Sequence, residues 1–286
     1  MKVFKRGFLN LAPLVFLSLS LVLVGNDAGA NSTSLRSRLV AKPDQPWRWD
    51  YFKIALGGKF QSSLQKRGAI FYRSWQLTPI WAIDLFHPSL QIVGSTLLFS
   101  HHLTDWLRYR SRFALSATGD RPLYLTGGMG EGPQNQRKGT MELDQFLELR
   151  DPLRGELRFQ VSQDLSAHGG THLEAKLRAV VANIEWKPEL ILQPALTAAL
   201  GLGSQSHNEY LYGSGAGEFG ANHASFGLSL AMPPAIDYFF PVLEIERTMI
   251  LGNENKNASL VQGRTSGYQV TFLFAIELWR NSPSSL

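Results

Sequence analysis

The chain has 286 residues, no cysteine, a formal net charge of +5 and 44% apolar residues at a mean hydropathy of −0.09. Without cysteine it has no disulfides, no thiolate zinc sites and no thiol catalysis, which suits an oxidising compartment. Lysines and arginines are interleaved with acids rather than clustered, which argues against nucleic-acid binding. Beyond the first 30 residues no run approaches the roughly eighteen apolar residues of a membrane helix.

Lys2, Lys5 and Arg6 precede an apolar run over residues 8–24, and Ala28-Gly29-Ala30 follows as a small-residue cleavage site. Residues 1–30 therefore read as a secretory signal peptide, with an uncleaved anchor helix as the alternative. No cysteine follows the site, so lipoprotein processing is not expected. Residues 31–49, polar and carrying Pro43 and Pro46, read as a solvated periplasmic lead-in.

Strand-like alternation then begins. Phe52, Ile54, Leu56 and Phe60 share one side, with Lys53, Ala55, Gly57 and Lys59 on the other. A polar connection over 62–67 leads to Leu77, Pro79, Trp81, Ile83 and Leu85 on one face, with Asp84 opposite. Residues 90–99 are apolar and alternate poorly, so 75–99 reads either as one long bent strand or as several shorter ones. Leu107, Tyr109, Phe113 and Leu115 next oppose Arg108, Arg110 and Arg112, and residues 119–139, rich in Gly, Pro, Asn and Gln, form a long loop. Met141, Leu143, Leu147 and Leu149 alternate with Glu142, Asp144, Glu148 and Arg150.

Asp151-Pro152 turns the chain into the clearest strand, residues 153–165. Leu153, Leu157, Phe159, Val161 and Leu165 lie on one face, and Arg154, Glu156, Arg158, Gln160, Ser162 and Asp164 on the other. Beyond Ala167-His168-Gly169-Gly170, Leu173, Ala175, Leu177, Ala179 and Val181 oppose His172, Glu174, Lys176 and Arg178. Trp186-Lys187-Pro188 turns into a strand over 190–202, and a second long loop spans 204–223. Phe226, Leu228, Leu230 and Met232 follow, then Phe239, Leu243, Ile245, Met249 and Leu251 opposite Glu244, Glu246 and Thr248. After a third loop over 252–267, Tyr268, Val270, Phe272, Phe274, Ile276 and Leu278 oppose Gln269, Thr271 and Glu277.

Segments of about 9 to 15 residues match tilted strands crossing a bilayer. The expected fold is all-β: an antiparallel up-and-down transmembrane barrel over residues 50–279, with a short tail at 280–286. Its strand number is ten, or twelve if 75–99 contributes three. With both termini on one side, either count puts the three long loops on the other. A secreted soluble β-sandwich is the rival, although its strands would be shorter, about five or six residues.

In a small barrel the polar face lines the lumen. The expected lumen charge network is Arg108, Arg110, Arg112, Glu142, Asp144, Glu148, Arg154, Glu156, Arg158, Glu174, Lys176, Arg178, Glu244, Glu246 and Glu277. Its two signs are nearly balanced, and an unpaired charge away from water costs several kcal/mol, so a cross-paired, narrow or closed interior is expected. Other chemistry is thin. His87, His101 and His102 lack a partner at metal-ligand spacing. Asp164, Ser166 and His168 suggest a hydrolytic triad, but residues of one turn do not readily place nucleophile, base and orienter, so a tight turn is the better account. Trp81, Trp106, Trp186, Trp279, Tyr51 and Tyr238 fall near segment ends, where aromatic belts sit.

Several short motifs carry a resemblance. Residues 164–170, DLSAHGG, follow an alternating strand; Gly201-Leu202-Gly203 and Asn208-Glu209-Tyr210-Leu211-Tyr212-Gly213 come next, and Asn257-Ala258-Ser259-Leu260-Val261 precedes the final strand. In this order they resemble the MltA-interacting protein (MipA/OmpV) family of Gram-negative outer membranes, although the last motif lacks the family's proline. The resemblance implies an outer-membrane barrel without catalytic residues or cofactor, and a role in scaffolding a murein hydrolase and a murein synthase. The expected partners are thus outer-membrane lipid and those enzymes, reached through the lead-in, the short turns or the tail. A narrow small-solute channel and an outer-membrane lipid hydrolase are the alternatives.

Overall fold

The computed structural model describes residues 52–280 except 63, 68, 73–74, 94–95, 117–139, 152, 188–189 and 233–240. The expected signal peptide and lead-in, the tail beyond residue 280, the loop at 119–139, Tyr51 and Tyr238 lie outside the described residues.

β1 (Phe52–Gln61) leads into a small separate hairpin, β2 (Leu64–Lys66) and β3 (Ala69–Tyr72). There follow β4 (Gln76–Leu85), β5 (His87–Val93), β6 (Thr96–His102), β7 (Leu107–Ser116), β8 (Thr140–Asp151), β9 (Gly155–Asp164) and β10 (Thr171–Val180). β11 (Ile184–Lys187), β12 (Leu190–Gly203), β13 (Gly220–Ala231), β14 (Val242–Ile250) and β15 (Ser266–Arg280) complete the strands. Two short helices, α1 (Gln205–Tyr212) and α2 (Asn253–Asn257), lie in connections. Each strand pairs antiparallel with its neighbour in the order β10, β9, β8, β7, β6, β5, β4, β1, β15, β14, β13, β12, and β12 pairs back onto β10. The sheet closes as a barrel of twelve strands, while β11 extends the β10–β12 hairpin past the rim and pairs with β12 alone among the described residues. Closure leaves no open edge in the wall, which a membrane demands because lipid cannot satisfy backbone N–H and C=O groups.

The expectation of ten strands is corrected to twelve, the alternative count. Residues 75–99 fold as β4, β5 and β6. Two features hid them. Only Phe86 separates β4 from β5, at a left-handed φ of 62° that nothing in its residue type signals. Val93 pairs with Thr96, so two residues connect β5 to β6. Alternation also fails because Leu98 lies buried on the inner face, opposite Gln91. β15 runs through Arg280.

Burial is inverted relative to a soluble protein. Leu56, Phe159, Leu196, Leu228, Ile245 and Ile276 are exposed on the outer face, whereas Asp84, Asp144, Glu148, Gln160, Gln193 and Thr197 are buried within. A soluble sandwich would bury the first set and expose the second, so this is a lipid-facing barrel in the outer membrane. Arg247 lies over the Tyr268 ring at 5.3 Å, and Phe60 stacks on Trp75 at 4.7 Å, towards the loop end of the wall. Trp106 and Trp279 are exposed at the opposite rim, as belt residues should be, whereas Trp81 sits mid-strand and the Trp186 side chain lies outside the described residues.

Both ends of the described chain lie at one rim, with the turns that join β4 to β5, β6 to β7 and β8 to β9. The β2–β3 hairpin, the turn at 165–170, and the connections 204–219 and 251–265 lie at the other, which is the extracellular side by the usual arrangement of such barrels. There Leu211 and Tyr212 of α1 pack with Ala69, Ile250, Ala258 and Val261 in a small apolar core. This core caps the barrel mouth rather than filling the barrel.

Candidate functional site

The first part of the site is the lumen wall of β7, β8, β9 and β10. Register sets Arg108 opposite Glu148 and Arg112 opposite Asp144. Glu148, with no exposed surface, accepts Arg108 Nε–H at 2.6 Å and an Arg110 Nη1–H at 2.9 Å. Asp144, equally buried, accepts Arg112 Nε–H at 2.7 Å on one oxygen and Gln160 Nε2–H at 3.1 Å on the other. Phe146 also faces inward, and the guanidinium carbons of Arg110, Arg112 and Arg158 lie 5.6, 5.3 and 5.5 Å from its ring centroid. A buried aromatic among three guanidiniums supplies cation–π attraction that neighbouring like charges otherwise lack.

Arg158 Nη2 meets Glu174 Oε1 on the adjacent β10 at 3.4 Å, and Lys176 Nζ reaches Glu244 at 3.3 Å and Glu246 at 3.4 Å. The Lys176 contacts pass over β12 and β13 to β14, so they brace the interior rather than one strand pair. Lys53 of β1 joins its two neighbouring strands, meeting Glu277 of β15 at 3.2 Å and Asp84 of β4 at 4.0 Å. Glu142 is held by Arg67 at 3.4 Å. Glu156 is nearer the rim, paired with half-exposed Arg150 at 3.0 Å, and Arg178 stands opposite it in register.

Arg154 is the exception to the expected network. It lies in the turn before β9, where Asp151 Oδ1 accepts the N–H groups of Leu153 and Arg154 at 2.9 and 3.3 Å. That Asp-capped turn and Gly155, at φ 128°, make the strand begin two residues later than the polar pattern suggests.

The second part is the mouth. Arg67, at the tip of the β2–β3 hairpin, has a left-handed φ of 51° and a nearly buried side chain. Its Nη2 donates to Ser162 Oγ at 2.9 Å, its Nη1 lies 3.4 Å from His207 Nε2, and its carbonyl accepts from Tyr212 Oη at 2.7 Å. One residue thus joins the first connection to β8, β9 and α1. Below it His168, His207, His172 and His223 form a column, with successive ring centroids 5.4, 4.9 and 5.5 Å apart. Arg67, Phe146 and the meeting of these four histidines were not legible in the sequence, since they come from separate segments with no shared spacing. The inward registers of His172 and Gln160 were the only signals pointing to them.

Asp164, Ser166 and His168 build a turn. Asp164 Oδ2 accepts the N–H groups of Ser166, Ala167, His168 and Gly169 at 3.3, 2.8, 2.6 and 2.9 Å. Ser166 Oγ accepts the Met141 N–H, and His168 Nδ1 accepts that of Gly170, both at 2.9 Å. His87 accepts the Ser89 N–H at 3.0 Å, and His101 and His102 lie at the rim opposite the column.

No family model matches the chain, and neither does any curated protein. Among solved structures it is similar to the NanC porin, with 8% identity and a TM-score of 0.35 over 79% of this chain and 98% of that one. A bacterial polysaccharide outer membrane secretin aligns with 7% identity and a TM-score of 0.38 over 81% and 99% of the two chains. An outer membrane channel from Pseudomonas putida F1 aligns with 10% identity and a TM-score of 0.33 over 82% and 97%. These likenesses concern barrel architecture alone. The membrane placement rests on closure and on the inverted faces.

Proposed function

We propose that this chain is an outer-membrane barrel of the MipA/OmpV type, non-enzymatic and sealed, that scaffolds peptidoglycan-remodelling proteins at the periplasmic side. The observation that carries the reading is where the resembling motifs meet. The turn at 164–170, the glycines at 201 and 203, the helix motif at 208–213 and the segment 257–261 are far apart in sequence, yet all converge on the mouth. A Cβ at Gly170 would lie 2.5 Å from the His207 nitrogen, one at Gly203 would lie 2.6 Å from Asn222 Nδ2, and one at Gly213 would lie 2.7 Å from a Leu260 carbon. These segments build a cap, and the lumen below is crossed by ion pairs. A barrel filled in this way works through its rims. On the periplasmic rim, β11 carries half-exposed Ile184 beside exposed Val181 on a strand with one open edge among the described residues, the kind of edge that accepts a partner strand.

A photo-crosslinker placed at Glu185 in intact envelopes tests the reading. It is expected to capture a murein hydrolase or synthase, and recovery of neither would overturn the scaffold. A second reading, a narrow channel for small charged solutes, is favoured by the two-signed lumen wall. Conductance steps from the unaltered protein in a planar bilayer would support that reading against the sealed one.

A further inference from the structure

We infer that His172, Glu174 and His223 form a divalent-metal site of the zinc type in the barrel wall below the mouth. One ligand atom from each lies within 4.8 Å of the other two, and both histidines are buried. The site depends on β12, which passes between the strands that supply it. Gly201 of β12 pairs with Glu174 on one side and with His223 on the other. A Cβ at Gly201 would collide with the His223 ring and come within 2.8 Å of His172 Nε2, so the absence of a side chain lets β10 and β13 meet over it. The pairing of β12 with β13 shifts by one residue between Gly201 and Leu202, leaving Asn222 as a bulge. The bulge turns both Asn222 and His223 inward, a common way for a strand to re-aim a functional side chain.

The hydrogen bonds fix which nitrogen of His223 carries its proton. Asn208 Nδ2 is surrounded by the carbonyls of Gly203, Gly217 and Glu218 at 3.3, 3.1 and 3.1 Å, so its Oδ1 must accept from Asn222 Nδ2 at 3.1 Å. Asn222 Oδ1 is then left to accept from His223 Nδ1–H at 2.8 Å. His223 Nε2 therefore faces Glu174 Oε2 at 3.5 Å, a separation that a proton on Nε2 or a bound metal ion can bridge. The other carboxylate oxygen is engaged by Arg158. A metal ion in that place would also meet the second imidazole, at His172, which makes the set two nitrogens and one oxygen. That set suits zinc, which prefers imidazole and carboxylate in a tetrahedron with ligand distances of about 2.0–2.2 Å. The amide chain behind His223 is the outer-shell support that such ligands ordinarily have. Through the contact of the His207 ring with that of His172, centroids 4.9 Å apart, the metal would also tie α1 to the wall.

The folded, EDTA-stripped protein titrated with zinc chloride in a calorimeter tests this, together with zinc-edge X-ray absorption of the loaded protein. We expect one zinc per chain at micromolar affinity or tighter, with imidazole scattering in the absorption spectrum. His223→Gln and Glu174→Gln should each weaken binding by about tenfold or more, and His101→Gln at the opposite rim should leave it unchanged. Heat-shifted migration on gels establishes that each variant is folded. Absence of zinc binding by the unaltered protein, a spectrum without imidazole, or unchanged affinity in folded His223→Gln would each overturn the site.

Discussion

Glu148 shows how this barrel handles charge at the level of single residues. It has no exposed surface and holds two guanidiniums, those of Arg108 and Arg110. Replacing it with alanine strands both cations, and losing one partner of a buried pair costs about 3–5 kcal/mol. Glu156→Ala, which breaks a pair with half-exposed Arg150, should cost only about 0–1 kcal/mol because solvent screens it. Urea unfolding of the two variants in lipid vesicles, followed by tryptophan fluorescence, should separate them clearly. Equal midpoints would mean that the lumen is as wet at Glu148 as at the rim. Gly201→Ala is a packing test: the new methyl group must displace the His223 ring, an overpacking cost of about 1–3 kcal/mol. An unchanged midpoint would show that β10 and β13 do not close over β12.

At the level of elements, alternation was the legible property. Cβ atoms point to opposite faces along any strand, so the inner and outer faces of β8, β9, β10, β12 and β15 followed from residue order alone. Leu228 is exposed on β13, paired with Leu196 and Ile245 below the interfacial Arg247–Tyr268 contact. Leu228→Arg should cost about 2–4 kcal/mol if it lies near the bilayer midplane, and little in detergent that lets the side chain reach water. A vesicle-refolding titration against the unaltered protein measures it, and no difference would place β13 away from lipid. Among the wall strands, those that escaped reading were β5 and β6. Each is only 7 residues long, and Leu98 puts an apolar side chain on the inner face, so no period of two could be seen.

For the whole molecule, the mouth decides behaviour. Arg67 holds the first connection against β8, β9 and α1 through one guanidinium and one carbonyl. Arg67→Ala removes the guanidinium contacts while leaving the carbonyl bond and the barrel hydrogen bonds intact. The sealed reading expects a silent unaltered protein in planar bilayers and brief openings in Arg67→Ala. If both are silent, the ion pairs deeper in the lumen suffice as the barrier, and Lys176→Ala, which frees Glu244 and Glu246, should then show conductance.

By itself the sequence determined the barrel class, the direction of each long strand's faces and the charged composition of the lumen. All three are local, since they depend only on the period of side-chain direction and on which solvent tolerates which residue. The strand number, the pairing of each charge and the histidine column were decided by tertiary structure. Lys176 meets Glu244 and Glu246 because closure brings β14 within reach of β10. His172 and His223 meet because a glycine on the strand between them leaves room for both rings. Register and curvature set those distances, and neither is encoded in the spacing of residues along any one segment.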